Sequence, residues 1–289
     1  MTKLAVIADI HANYAALEAA QSLLDSLSPD GVIFLGDFVT DFPEPRRTLA
    51  MVREIGARYP TWMVRGNRED YLLSHRASLR RGRDDGWVLG SSTGSLLYTY
   101  NELTEEDLDF LERLPVTANV ALPESPELPL ITACHATPFA TKDWIMGSET
   151  KLKKCLAAVP GELLLCGHTH RTAYYGFPEG RVLVCPSLGN PQDPGIDAGM
   201  TLLIGKNGAW RHRFLRVAYD KEQFIREVEQ SRLMEAAPIW SKALVKSLRD
   251  GGDYPVRCVK RAYCLAKLGH HARPMDEYWE QAARELGIL

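Results

Sequence analysis

A chain of 289 residues, 45% hydrophobic and 25% charged, has ample apolar material for a sizeable core and the balance of an ordinary globular protein. Its length exceeds that of a typical single domain, so one large catalytic unit with an appendage is expected. The formal net charge of −3 argues against a nucleic-acid partner, which would call for a basic excess to neutralise phosphates. No apolar stretch approaches the length of a membrane span.

The amino terminus, MTKLAVIADIHAN, runs a short buried strand straight into polar residues and lacks the pattern of a signal peptide. Leu4 to Ala8 reads as that strand. Leu17, Ala20, Leu24 and Leu27 then mark one face of a helix, which Ser28-Pro29-Asp30-Gly31 ends. A second strand, Val32 to Leu35, leads through a Pro-rich loop to a helix near Arg47 to Ala57. A third, Thr61 to Val64, ends at Arg65-Gly66-Asn67. This β-α-β-α-β beginning implies an α/β fold with parallel strands and covering helices.

From Glu69 to Leu114 the composition turns helical and polar, with a capped helix start at Leu103-Thr104-Glu105-Glu106. Short strands follow at Ala118 to Leu122, Leu130 to Ala133 and Leu163 to Cys166. Val182 to Cys185, Gly199 to Ile204 and Trp210 to Val217 are expected to belong to a second sheet. The catalytic domain is therefore placed at residues 1–217, with a helical insertion at about 69–114 and a helical extension at 218–289. In that extension Phe224, Ile225 and Val228 share a face, Pro238 opens a helix, and Gly251-Gly252 breaks the run before two more helices.

Polar residues of one kind gather just past the predicted strands. Asp9 and His11 follow the first, Asp37 follows the second after Gly36, and Asn67 follows the third after Gly66. His135 follows the strand ending at Cys134, and His168 and His170 follow Gly167. The i, i+2 spacing of each pair on an extended segment would turn both side chains to one side. In open α/β sheets these carboxyl ends are where ligands bind. Two carboxylates, four imidazoles and an amide suit Mn²⁺, Fe²⁺ or Zn²⁺ better than Ca²⁺. Seven ligands are too many for one tetrahedral ion and fit two ions that share a carboxylate. Singly, each fragment is a common cap or turn; it is their joint occurrence in order that points to a metal site.

The fragments Asp9-Ile10-His11, Gly36-Asp37, Gly66-Asn67-Arg68-Glu69, His135 and Gly167-His168-Thr169-His170 resemble the motifs of the calcineurin-like metallophosphoesterase superfamily over about the first 200 residues. The wording around them, with Asn13 and Pro186-Ser187-Leu188-Gly189, is similar to bacterial and archaeal single-domain members. The resemblance implies a four-layer αββα sandwich of two mixed sheets. It places Asp9, His11 and His170 on one metal, Asn67, His135 and His168 on the other, and Asp37 between them. Two divalent transition ions are expected, Mn²⁺ preferred. Their shared water would ionise near neutral pH and attack phosphorus, with no phosphoenzyme and with activity falling as the imidazoles protonate.

Asp37, Arg68 and His135 are the residues expected to act in catalysis. Arg68 departs from the superfamily pattern, which often has His after Gly-Asn. A guanidinium cannot usefully donate a proton but can grip a phosphate oxygen. Leaving groups needing little protonation are therefore favoured; the alternative for Arg68 is a solvent-facing loop cation. Asp41, Asn13 and Thr169 are candidates for orienting the ligands.

Other features carry bland readings. The stretch His75, Arg76, Arg80, Arg81 and Arg83 is a solvated helix face or, less simply, a polyphosphate receptor. Cys166 and Cys185 read as inert packing residues, and the six cysteines together as reduced thiols of a cytoplasmic protein. Trp240, Tyr263 and Trp279 read as core, and His270-His271 as a helix C-terminus without a metal role. The functional expectation is hydrolysis of a small phosphorylated substrate, a nucleotide phosphodiester or dinucleoside polyphosphate preferred, with no membrane partner. A phosphoprotein phosphatase and a non-catalytic scaffold for a protein partner are the alternatives.

Overall fold

Alternate side chains of the first strand serve two different cores, and that division sets the layering of the molecule. The computed structural model describes residues 1–193, 195, 198–267 and 276–289. Its strands are β1 (Thr2–Ile7), β2 (Gly31–Phe34), β3 (Thr61–Met63), β4 (Thr117–Val120), β5 (Ile131–Cys134), β6 (Leu163–Cys166), β7 (Ala173–Phe177), β8 (Gly180–Val184), β9 (Gly199–Lys206) and β10 (Ala209–Arg216). They form two five-stranded sheets, ordered β10-β9-β1-β2-β3 and β4-β5-β6-β8-β7. Leu4 and Val6 of β1 meet Leu163 and Leu165 of β6 in the core between the sheets. Ala5 and Ile7 face outward to helices α1 (Tyr14–Leu27) and α2 (Pro45–Arg58). Leu164 and Cys166 of β6 likewise face a third core closed by Leu152, Cys155 and Leu156. Period-two alternation on strands buried on both faces thus produces the four-layer sandwich.

The parallel pairs β1–β2, β2–β3, β5–β6 and β6–β8 bring the strand ends that bear the polar motifs to one rim. Two sequence expectations about the sheets need correction. Of the three strands expected last in the second sheet, only β8 joins it; β9 and β10 return to the first, with β9 antiparallel to β1 through Leu4↔Leu203 and Val6↔Thr201. Without β9, β1, buried from Leu4 to Ile7, would leave one row of backbone groups unpaired, which is costly away from water. The second correction is β7, an unforeseen strand that forms a hairpin with β8 around Pro178-Glu179. Gly176 and Pro178 make its sequence look like a loop.

After β3 come α3 (Asn67–Arg80), α4 (Gly94–Glu102) and α5 (Glu105–Arg113), the last opened by a capping box between Thr104 and Asp107. The basic stretch that begins on α3 is a solvated face only in part. His75 and Arg76 are buried: the imidazole stacks on Trp87 at 4.1 Å and lies 2.8 Å from Asp85, and the guanidinium bonds Glu105, Asp109 and Glu112 of α5. Arg80, Arg81 and Arg83 point outward. A further helix, α6 (Glu149–Ala157), covers the second sheet.

Past β10 the chain is helical: α7 (Lys221–Glu229), α8 (Leu233–Ala236), α9 (Pro238–Asp250), α10 (Tyr254–Ala266) and α11 (Asp276–Glu285). His270 and His271 lie outside the described residues. Phe224 of α7 meets Tyr14, Phe42 and Tyr219 at ring-centroid distances of 5.7, 5.2 and 6.2 Å, so the tail and the first sheet's helices share one core. Trp240 stacks on Trp279 at 6.4 Å. No described helix is long and apolar enough to cross a membrane. All six cysteines are free thiols, five of them buried. Because the core is shared, Phe224→Ala should cost about 3–5 kcal/mol and lower a single unfolding transition. Scanning calorimetry resolving two separate transitions, or an unmoved midpoint, would contradict this packing.

Candidate metal centre

The site begins where the strands stop. Asp9, His11, Asp37, His168 and His170 all adopt left-handed backbone conformations, with φ between 52° and 64°. Such conformations cost non-glycine residues free energy and persist only where their surroundings enforce them. The i, i+2 pairs therefore do not converge as extended segments. They converge because tight turns aim them inward, held by Asp9 N–H to the Gly36 carbonyl (3.1 Å) and His11 N–H to the Asp37 carbonyl (2.9 Å). His168 N–H donates to the Asp9 carboxylate at 3.0 and 3.1 Å. Glycine is required at two contacts: a Cβ on Gly66 would collide with the Asp37 carboxylate, and one on Gly167 with that of Asp9.

All seven proposed ligands come together. Asp9, His11 and His170 present ligand atoms within 4.8 Å of one another, as do Asp9, Asp37 and His135. Asp37 Oδ2 lies 3.7 Å from His11 Nε2 and 3.5 Å from His135 Nε2, between the two sets. Asp9 Oδ1 is also placed between them, 3.5 Å from His170 Nε2 and 4.0 Å from His135 Nε2. Asn67 Oδ1 and His168 Nδ1 approach His135 Nε2 at 3.0 and 3.2 Å.

The hydrogen bonds on the far side of the rings decide what these near approaches mean. His135 Nδ1 donates to the Leu35 carbonyl at 2.7 Å, and His170 Nδ1 to the Asn190 carbonyl at 2.7 Å. His11 Nδ1 faces Asp41 Oδ2 at 3.0 Å. A ring whose single proton is on Nδ1 presents Nε2 as a bare lone pair. His11 Nε2 and His170 Nε2 nonetheless face each other at 2.9 Å, and His135 Nε2 faces the Asn67 oxygen. Lone pairs so arranged repel without a cation in reach of both, so the residues fit divalent metal ions.

The electrostatics agree. Burial pushes the Asp9 carboxyl up to about 7, against the pull of His135, and nearby Asp37 adds to the rise. Burial likewise raises Glu69 to about 7, with Asp37 contributing. For Asp37 burial is outweighed by His135, His11 and Arg68, which hold it below the usual carboxylate range. Burial lowers His168 to about 4, reinforced by His135, and takes His170 well below the usual imidazole value. These two rings are neutral at physiological pH, the form that ligates.

Of the three candidates for orienting the ligands, Asp41 is the one whose side chain meets a ligand residue. Asp41 is buried and faces His11, accepts from Arg68 Nη2 at 2.9 Å, and accepts from Trp240 Nε1 at 3.1 Å. Asn13 instead caps α1, accepting from Ala16 N–H, and donates to the Gly189 carbonyl. Thr169 Oγ1 donates to the Arg171 carbonyl. Arg68 stands on the first turn of α3 with its side chain 17% exposed, so it is not a solvent-facing loop cation. Its guanidinium lies 5.6 Å from the Trp240 ring, and its backbone N–H donates to Asp37 Oδ1 at 2.8 Å.

Two contributors escaped the sequence reading. Glu69 accepts from the N–H groups of Asp37, Phe38 and Gly66 at 2.8, 2.9 and 2.7 Å, which locks the two ligand loops together. Its place in the Gly-Asn-Arg-Glu motif was a usable signal. Trp240 reaches Asp41 from 199 residues away and has no signal in the sequence beyond its helical spacing.

The sequence profile of the calcineurin-like phosphoesterases matches residues 2–172. The chain belongs to this family. Calcineurin-like phosphoesterases are hydrolases that use divalent metals, and the site's donor set accords with that chemistry. An uncharacterized protein of Methanocaldococcus jannaschii is 23% identical over 248 residues, 80% of this chain and 94% of the relative. A hypothetical protein of Pyrococcus horikoshii superposes with a TM-score of 0.71 at 20% identity, covering 88% of this chain and 100% of that one. A metallophosphoesterase of Sphaerobacter thermophilus superposes with a TM-score of 0.64 at 22% identity, covering 86% and 100%. At these identities the two structures attest the shared fold.

Since Asp41 holds His11 in its ligating tautomer, Asp41→Ala should weaken Mn²⁺ binding about 10- to 100-fold. Calorimetric titration showing unchanged affinity would remove Asp41 from that role.

Proposed function

We propose that the protein hydrolyses a phosphate ester of a small molecule, with nucleotide phosphodiesters and dinucleoside polyphosphates as the preferred class. The observation that carries this reading is a cavity of about 720 Å³ containing His11, Asp37, Asn67 and Arg68, walled by Trp240 and the start of α10. That volume is in the range of small-ligand sites. The wall supplied by α9 and α10 favours a compact substrate over a phosphoprotein loop.

Asp9, His11 and His170 would hold one ion and Asn67, His135 and His168 a second, with Asp37 shared; Mn²⁺ is the preferred metal. Two such ions would supply Lewis acidity toward the phosphoryl oxygens and would acidify the attacking water. The chain itself positions the charges. Leu35 and Asn190 carbonyls and Asp41 orient three of the four rings. Arg68 gives Nη2 to Asp41 and keeps a buried Nε without a partner among the described residues. Arg68 lines the cavity beside Asp37, where its guanidinium charge offsets negative charge that grows on the phosphoryl group during displacement.

Arg68 cannot protonate a departing alkoxide. The reading therefore predicts turnover weighted to good leaving groups, such as nucleoside phosphates and nitrophenolate. With Mn²⁺ present, bis(nitrophenyl) phosphate and diadenosine tetraphosphate should be cleaved faster than an alkyl phosphomonoester. Asp37→Asn should cost at least about a hundredfold in kcat, and chelation should abolish turnover. Protein loaded with two metals that cleaves none of the three compounds would refute the reading.

A further inference from the structure

The metal centre occupies one end of the cavity and leaves the rest unassigned. Along the remaining rim stand Arg171, one residue past His170, and Arg257 and Lys260 of α10. All three are exposed, and among the described residues none forms an ion pair. Arg257 lies against the Tyr254 ring at 4.9 Å, which steadies the guanidinium without neutralising it. Arg68, by contrast, is already engaged by Asp41.

One carboxylate sits on the same wall. Asp253 caps α10, accepting from Val256 N–H at 3.1 Å, and it feels Arg68 and Lys260. Burial raises its pKa, so its negative charge is the less firmly held. Three uncommitted cations therefore outnumber the acid. The same cavity contains Gln192, whose side-chain amide is buried at both ends and has no partner among the described residues. It also contains Trp144, 54% exposed, on a loop held by Lys151 Nζ to the Trp144 carbonyl at 2.8 Å. A phosphate ester with a single small anionic group would leave these groups idle.

We propose that Arg171, Arg257 and Lys260 form a subsite for a second phosphate group, so that the chain selects polyphosphorylated substrates over simple phosphate esters. The proposal rests on the reading of the metal centre as the hydrolytic site, and deepens it. The scissile phosphate lies at the metal end beside Arg68, and a further phosphate of the same molecule lies against the α10 cations. The exposed indole of Trp144 gives a flat apolar group, such as a nucleobase, a surface to lie on. Two of the three cations come from the helical extension, which makes that segment a determinant of specificity.

The test compares the Mn²⁺-loaded wild type with Arg257→Ala/Lys260→Ala and Arg171→Ala, using diadenosine tetraphosphate and bis(nitrophenyl) phosphate. Both substituted side chains of the double variant are at the surface, and thermal melting checks that it is folded. The ratio of KM for the tetraphosphate to KM for the nitrophenyl diester should rise about tenfold or more in the double variant, a few-fold per exposed cation. Arg257→Lys/Lys260→Arg should restore most of it. Calorimetry should show tripolyphosphate binding weakened by a similar factor and orthophosphate binding changed much less. An unchanged KM ratio with unchanged tripolyphosphate affinity overturns the subsite while leaving the hydrolytic reading standing. Absence of turnover in the wild type overturns the hydrolytic reading, and the tripolyphosphate titration then still decides the subsite.

Discussion

Two carboxylates, Asp9 and Asp37, are held out of water at the ends of adjacent parallel strands, and much of the surrounding structure makes that arrangement tolerable. Buried ionised carboxylates are costly unless opposite charge and hydrogen bonds compensate them. Asp37 has that compensation from His135, His11 and Arg68, and remains ionised. Asp9 has less, receiving mainly His135 and the N–H of His168, and its carboxyl rises accordingly. Around both lie imidazole nitrogens crowded against one another, His11 Nε2 2.9 Å from His170 Nε2 and His168 Nδ1 3.2 Å from His135 Nε2. The protein's own groups leave this excess of electron density uncompensated, and divalent cations are the chemistry that compensates it.

Holding the density in place takes backbone strain and a second ring of buried charge. The left-handed residues sit where the chain leaves the sheets, and interlocking N–H···O=C bonds between the loops enforce them. Glu69 ties the Asp37 loop to the first turn of α3 through three backbone N–H groups. Asp41 ties His11 to Arg68 and Trp240. A carboxylate that accepts from groups on several elements makes their positions interdependent, so displacing one affects the rest.

Trp240 extends that interdependence into the helical tail. Its indole donates to Asp41, lies near the Arg68 guanidinium, and stacks on Trp279. The tail is therefore continuous with the site as well as with the core that Phe224 closes against Tyr14 and Phe42. Replacing the superfamily's frequent His by Arg68 fits this setting. A guanidinium can bond Asp41 and lie against an aromatic ring while its charge stays beside the cavity, which one imidazole cannot do at once.

The amino-acid sequence by itself determined the family motifs, the identity of the seven polar residues past the strands and the presence of an apolar core. These follow from local pattern: period-two and helical hydrophobicity, glycine before Asp37, Asn67 and His168, and the spacing of Asp9 with His11. It did not determine that β9 returns to pair with β1, because strand partners are chosen by non-local backbone pairing that no local pattern encodes. It misjudged the i, i+2 pairs, whose convergence depends on left-handed turns enforced by neighbouring loops. It left His75 and Arg76 as surface charges, whereas Trp87 and the acids of α5 bury and pair them. The link from Trp240 to Asp41, 199 residues apart, was decided only by tertiary structure, since packing α9 against the site is what brings the indole within hydrogen-bond reach.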